Sequence, residues 1–496
     1  MTTTTSPYTT TNPTNEANPL LSEPSRSEIT GDDGTKRQPW HSMSVGLLLL
    51  LLLIATFVVV EVARRNPRQT KKLAVYPYAF ISPSNDASNW IAPGGYRYQE
   101  YADGSSPYRI TKEIRQQSDE LARIRREHVK AAMQFAWKGY TTYAFGMDEI
   151  KPVSKVGDNV WKGLATTMVD ALDTLWLMNM TEEFSQARDF VAQNLTYADK
   201  NVSIICFETT IRSLGGMLSA YSWSGDAIFL EHALDIGRRI FHSFDGASTG
   251  IPFGRVNLMT GEFYNDHHDN FTPLSWVGTL QLEFRCLDAL VQSNETANMR
   301  QKVENIIAVL YSLNPPRGLY PTLVRNVNVS HAEFANTHLT FGANGDSFYE
   351  YLLKAWLQGN KTEVLYRNMY DQAIQSLHDI LLQESTPSGL IYLVDESDGV
   401  KIHKLHHLTC FMGGLLSLGA YTDPLGMQSF RAQRDLKTAK ALTYTCYQMY
   451  ARQKTGRLLE STTLLSDITN RNLPSDAFWS SPFQSLLTSD TLSFSF

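Results

Sequence analysis

The chain has 496 residues, 43% hydrophobic and 11% aromatic, enough to bury an extensive core in two or three domains or one large closed architecture. Its net charge of −6 is mild and spread out. No basic stripe or basic–aromatic interleaving occurs, which excludes a nucleic-acid-binding reading.

Residues 1–42 are rich in Thr, Ser, Pro and Asn, cannot bury a core, and predict a disordered cytoplasmic tail. The run MSVGLLLLLLLIATFVVV carries no charge and has no polar face. At 1.5 Å per residue it is about long enough to cross a hydrocarbon core of roughly 30 Å. It starts too far from the N-terminus for a cleaved signal peptide, so residues 43–63 predict a single membrane anchor. Pro67, Pro77, Pro83, Pro93 and Pro107 interrupt any helix in residues 64–112, which predict a stem.

From 113 to 456 helical periodicity recurs in segments such as RREHVKAAMQFAWKGY, GLATTMVDALDTLWLMNM, ETTIRSLGGMLSAYSWS and LKTAKALTYTCYQMYARQ. Alternating patterns are rare and short. The expectation is an all-α domain of at least eleven helices. Some are apolar along their length and others amphipathic, which is what a two-layer helical ring needs. No repeat of fixed length appears, so a solenoid is disfavoured.

Acidic residues are expected at or near inner-helix starts: Asp170 and Asp173 in VDALDTLW, Glu208 in FETTIR, Asp346 and Glu350 in GDSFYEYLLK. The helix macrodipole favours a carboxylate there by about 0.3–1 kcal/mol, which accounts for each one alone. In a ring, these carboxylates converge at one end of a cavity walled by aromatic rings. Such a cavity suits a polyhydroxylated sugar, with rings stacking on its apolar faces and carboxylates accepting from hydroxyls or moving protons. Arg212, one turn past Glu208, would hold that carboxylate in place. The same spacing also describes an ordinary helix-stabilising pair worth about 0.2–0.5 kcal/mol.

The four cysteines, Cys206, Cys286, Cys410 and Cys446, leave room for one disulfide in an oxidising compartment and show no zinc spacing. Cys206 and Cys286 read as small buried hydrophobes. Side of the membrane is contested. Arg64, Arg65, Arg68, Lys71 and Lys72 after the anchor outweigh Lys36 and Arg37 before it, which would keep the C-terminal part cytosolic. Seven glycosylation sequons, at Asn179, Asn194, Asn201, Asn270, Asn294, Asn328 and Asn360, all follow the anchor and favour a lumenal domain. The sequons carry more weight.

Six ordered stretches resemble class I α-1,2-mannosidases, glycoside hydrolase family 47: VDALDTLWLM, FETTIRSLGGMLSAY, GTLQLEF, GDSFYEYLLK, HLTCF and TCYQMYARQKTG. The resemblance runs from about Glu127 to Gly456. It implies an (α/α)7 barrel, a single-pass type II membrane protein of the endoplasmic reticulum or Golgi, and inverting removal of α-1,2-linked mannose from high-mannose N-glycans. By motif, Glu208 matches the general acid and Asp346 the general base. Arg212, Glu350, Asp170, Asp173 and His407 match substrate-site positions, and Cys410 and Cys446 match a disulfide pair. Calcium, a hard cation suited to oxygen ligands, is the cofactor implied.

The chain also departs from the family. After YARQKTG the family pattern continues with a Pro-Glu motif, further helices and a calcium-binding threonine. Residues 457–496 instead read as an atypical Ser/Thr-rich tail, expected to be disordered, with no metal-ligating residue assigned and the barrel incomplete at its C-terminus. Trp276 stands where the family commonly has a cavity glutamate, and Asn344 stands at a branch-selecting position. These departures predict an impaired chain, and they leave two other readings open: a non-catalytic glycan binder in glycoprotein quality control, or an inactive truncated product.

Overall fold

In the computed structural model, residues 91–92, 96–97, 112–266, 271–386, 388–451 and 461–463 are described. The expected tail, the anchor, most of the stem and Asn270 lie outside them. Helical periodicity becomes thirteen α-helices among the described residues. The first, α1 (Lys112–Tyr143), buries Trp137 and Tyr140 near its end. Helices α2 (Thr166–Leu177) and α3 (Thr181–Asn194) follow. The segment bearing Glu208 is a continuous run of α4 (Cys206–Thr209), a π-helical turn (Thr210–Leu214) and α5 (Gly215–Ser224). Then come α6 (Ala227–Phe241), α7 (Leu274–Gly278), α8 (Gln281–Val291) and α9 (Asn294–Ser312). The series ends with α10 (Asp346–Gln358), α11 (Val364–Ser376), α12 (Met412–Tyr421) and α13 (Phe430–Ala451).

Local chemistry sets several starts. Asp226 accepts from Ile228 N at 3.2 Å to open α6, and Ser293 and Thr296 form a reciprocal capping box at α9. The start of α2 is set from outside its own sequence. Buried Asp148 accepts from Gly163 N at 2.7 Å and Thr166 N at 3.3 Å. Asp170 and Asp173 therefore lie in the second and third turns of α2, whose first turn holds no acidic residue. This corrects the expectation that they sit at a helix start, and the macrodipole does not explain them.

Packing follows the two-layer pattern. In the inner layer α2 packs on α5, α5 on α8 and α8 on α10; behind them α3 backs α2, α6 backs α5, α9 backs α8 and α11 backs α10. Helices α12 and α13 form the last pair. One large apolar core links the layers, from Tyr140 and Met168 through Phe229 and Phe284 to Phe348 and Leu416. Gly216 lets α5 lie against α2, because a Cβ there would meet Val169 O at 2.8 Å.

Short strands edge the helices, more of them than the sequence suggested. Beyond the stem hairpin β1 (Ile91–Ala92) and β2 (Tyr96–Arg97), β3 (Glu149–Lys151) pairs with β4 (Val156–Asp158). Strands β5 (Ser203–Ile205), β6 (Arg255–Asn257) and β7 (Phe263–Tyr264) form one sheet. Strands β8 (Phe271–Pro273), β9 (Leu323–Arg325) and β10 (Glu333–Phe334) form another. Two hairpins follow: β11 (Leu382–Glu384) with β12 (Ile391–Leu393), and β13 (Asp395–Ser397) with β14 (Val400–Ile402). Last, β15 (Lys404–His406) pairs antiparallel with β16 (Ser461–Thr463), Leu405 opposite Thr462. Three residues of the C-terminal tail thus pair as a strand, because β15 offers a free edge to extended Thr-rich chain; the rest of 457–496 lies outside the described residues. No helix among the described residues is long and apolar enough to cross a membrane.

Candidate active site

The acidic residues singled out in the sequence are gathered by three inner helices. The π-helical turn inserts one wider turn between Glu208 and α5, a geometry frequent at functional sites. Within it Arg212 Nε donates to Glu208 Oε2 at 2.8 Å while Nη1 donates to Asp170 Oδ2 at 3.0 Å. One guanidinium thus ties α4 to α2, using its planar fork on two carboxylates. Burial pushes the Asp170 carboxyl up, and Arg212 pulls partly against that. Asp173, one turn on, accepts from Ser219 Oγ of α5 at 2.7 Å, and its charge also raises Asp170.

Asp346 is the first residue of α10. Its Oδ1 accepts from Ser347 N at 2.8 Å and Ser347 Oγ at 3.4 Å. Burial pushes its carboxyl up to about 6, and the charges of Glu350 and Glu208 add to the rise. Glu208 and Asp346, far apart in sequence, therefore stand within one electrostatic field. Helix α7 lies between them, packing on α4 and on α10. Thr279, just past α7, donates to Ser347 Oγ at 2.8 Å and fixes that junction. Glu350, one turn past Asp346, pairs with Lys354. His407, in a short 3-10 turn (His407–Phe411), lies with Nε2 3.0 Å from Tyr450 Oη of α13. Cys410 and Cys446 are joined by a disulfide that fastens that turn to α13.

Three features escaped the sequence reading. The Trp161 ring lies 5.1 Å from the Arg212 guanidinium, a cation–π contact on the face left open by the two carboxylates. Trp161, Lys162, Ser203, Glu208, Arg212 and Arg255 line a cavity of about 150 Å3. Glu283, inside the quoted GTLQLEF stretch, is a further buried carboxyl, close enough to Glu350 to feel its charge. Tyr351 Oη donates to its Oε1 at 2.6 Å, and Oε2 is enclosed with no hydrogen-bond partner. Burial pushes that carboxyl up to about 7. Its motif was the available signal, but its burial behind Tyr351 is a tertiary fact. Trp276, in the place of the family glutamate, is half-buried, its ring against Gly254, where a Cβ would come within 3.0 Å of it.

No group of three or more His, Cys, Asp or Glu side chains able to hold a metal ion occurs among the described residues. The carboxylates named above are engaged by Arg212, Ser219, Ser347, Tyr351 and Lys354, with Glu283 Oε2 left without a partner. A calcium ion asks for six to eight oxygen ligands, and among the described residues no carboxylate cluster supplies them.

The model of a family described as glycosyl hydrolase family 47 matches residues 132–482, a span that runs past Gly456. A mannosyl-oligosaccharide 1,2-alpha-mannosidase of Arabidopsis thaliana is 40% identical over 354 residues, covering 70% of this chain and 60% of that protein. An endoplasmic reticulum mannosyl-oligosaccharide 1,2-alpha-mannosidase of Rattus norvegicus is 38% identical over 334 residues, covering 67% of this chain and 48% of that protein. The chain thus spans about half to three-fifths of the length of these curated relatives. Among solved structures, an alpha-1,2-mannosidase from Trichoderma reesei superposes with a TM-score of 0.62 at 24% identity, over 72% of this chain and 76% of that one. That likeness carries the fold.

Proposed function

We propose that this chain, which belongs to glycosyl hydrolase family 47, hydrolyses α-1,2-linked mannose from high-mannose N-glycans with inversion, trimming glycoproteins in the secretory pathway. The observation that carries the reading is that Glu208 on α4 and Asp346 at the start of α10 are borne by helices that both pack on α7, with Asp346 close enough to feel the charge of Glu208. Inverting glycosidases need two carboxyl groups on opposite faces of one sugar. In the proposed reaction Glu208 gives its proton to the glycosidic oxygen as the bond to the leaving sugar breaks. Asp346, pushed up to about 6 yet mostly ionised at neutral pH, takes a proton from the water that attacks the anomeric carbon. Arg212, itself tied to Asp170, holds Glu208 in place, and Glu208 lines the cavity beside Trp161. The names of the relatives support the substrate class.

The helical array is read as part of an (α/α)7 barrel. Placement on the lumenal side of an endoplasmic reticulum or Golgi membrane, behind the anchor at 43–63, draws support from the Cys410–Cys446 disulfide and from six exposed sequon asparagines. Calcium enters as the ion the family resemblance implies, and no step is routed through it.

The test is incubation of the purified chain with a nine-mannose oligosaccharide, with calcium and with a chelator, following released mannose and its anomer by NMR. The β-anomer should appear first, and Glu208→Gln should lower the rate by about 10²-fold or more. Absence of mannose release in every arm sinks the reading. Glycan binding without release would identify a non-catalytic binder, the reading that Trp276 favours.

A further inference from the structure

The buried carboxylate Asp395 takes no part in the acid–base chemistry above. It opens β13, and two backbone bonds of 2.7 and 3.0 Å between Leu339 and Glu396 hold that strand against the chain leading to Asp346. A buried carboxylate is costly unless its oxygens find partners. Here Thr340 Oγ1 donates to Asp395 Oδ1, and His406 Nε2 stands 3.6 Å from Oδ2. Thr340 is itself buried, and its hydroxyl is used twice. With its proton committed to Asp395, a lone pair faces Gly342 N, which donates to Oγ1 at 2.8 Å. Gly342 O in turn accepts from Gly345 N at 3.1 Å and from Asp346 N at 2.9 Å. The turn is tight: a Cβ on Gly345 would lie 2.4 Å from Thr340 O. Its far side is pinned where Asn344, at φ +71°, accepts from Ser275 N at 2.9 Å through its carbonyl.

We propose that Asp395 is a positioning residue for the base. Through the Thr340 hydroxyl it fixes the turn 340–345 and so sets where Asp346 directs its carboxylate. The proposal rests on the reading of Asp346 as the base, and it adds a device that none of the sequence motifs contains. Asp395 touches no reacting atom. Misplacement of a reacting group by about 1 Å can lower a rate by about 10²-fold, so a side chain three hydrogen bonds removed can still govern turnover.

The variants are Asp395→Ala, Thr340→Val and Thr340→Ser in the full chain. Amide hydrogen exchange over residues 341–346 and the kinetics of mannose release are measured on each. In the first two, exchange of these amides should quicken at least about 10-fold while that of the α8 and α9 amides stays as in the unaltered chain. Their kcat should fall about 10- to 100-fold with KM within about threefold. Thr340→Ser keeps the hydroxyl and should restore both. Unchanged exchange at 341–346 in Asp395→Ala and Thr340→Val overturns the proposal, whatever the activity. A loss of thermal stability with kcat of the folded protein intact also overturns it. If the unaltered chain releases no mannose, the functional reading fails, and the exchange data still decide whether Asp395 orders the turn.

Discussion

Asp346 carries a cost that should be measurable apart from catalysis. Its carboxyl is pushed from an ordinary 3.8 up to about 6, chiefly by burial. Folding therefore takes up a proton in this range. The group's contribution to stability is fully present below about pH 4 and is lost as pH rises through about 6. At pH 7 the buried charge opposes folding. Asp346→Asn should abolish mannose release yet raise stability at pH 7 by up to roughly 3 kcal/mol, the gain vanishing toward pH 4. Urea melts of both proteins across that range give the answer, and a destabilised Asn variant at pH 7 would contradict it. The acidic set at this scale was readable from sequence because carboxylates among aromatics are unusual. Its wiring was not. That Arg212 reaches Asp170 as well as Glu208 depends on α5 lying against α2 at Gly216, and that Trp161 covers the guanidinium depends on Asp148 holding the loop before α2.

Among the elements, Arg285 joins four helices. From α8 it donates to Ala355 O of α10 at 3.2 Å, pairs with Glu363 just before α11 at 2.5 Å and with Glu304 of α9 at 3.3 Å, and lies over the Tyr366 ring. Its side chain is 5% exposed, whereas both glutamates keep 29%. Arg285→Ala should therefore destabilise by roughly 3 kcal/mol, the low end for a broken buried pair, because water still reaches the two carboxylates. Thermal unfolding measures it, and turnover per folded molecule should be unchanged. Helix boundaries followed from periodicity and caps where the cap is local, as at Asp226 and Ser293. They were missed where it is remote, as at α2. The π-helical turn left no trace in the periodicity, since one wider turn shifts later residues by less than the width of an apolar stripe.

At the level of the whole molecule, the two-layer order of helices was legible because inner and outer helices differ in composition along their length. The strand hairpins were not legible, because two or three residues are too short to show alternation. The sequons lead to a prediction at this scale. Asn179, Asn194, Asn201, Asn294, Asn328 and Asn360 are all exposed, so the folded chain has room for a glycan at each. Chain expressed through a eukaryotic secretory pathway should lose mass on treatment with a peptide N-glycosidase. Treatment in heavy-oxygen water should mark these asparagines as labelled aspartate. No mass change would return the chain to the cytosolic side that the flanking arginines and lysines suggest.

The thiols outside the disulfide complete the picture. Cys206 is buried two residues before Glu208, its thiol pushed up to about 12, and the half-buried Cys286 is pushed up as well. Burial thus disfavours, at both sulfurs, the thiolate that exchange or alkylation requires. The folded molecule carries the Cys410–Cys446 bond and leaves Cys206 and Cys286 as free thiols. The buried Cys206 then serves as a clock: the rate at which an alkylating reagent captures it reports how often the segment bearing Glu208 breathes open.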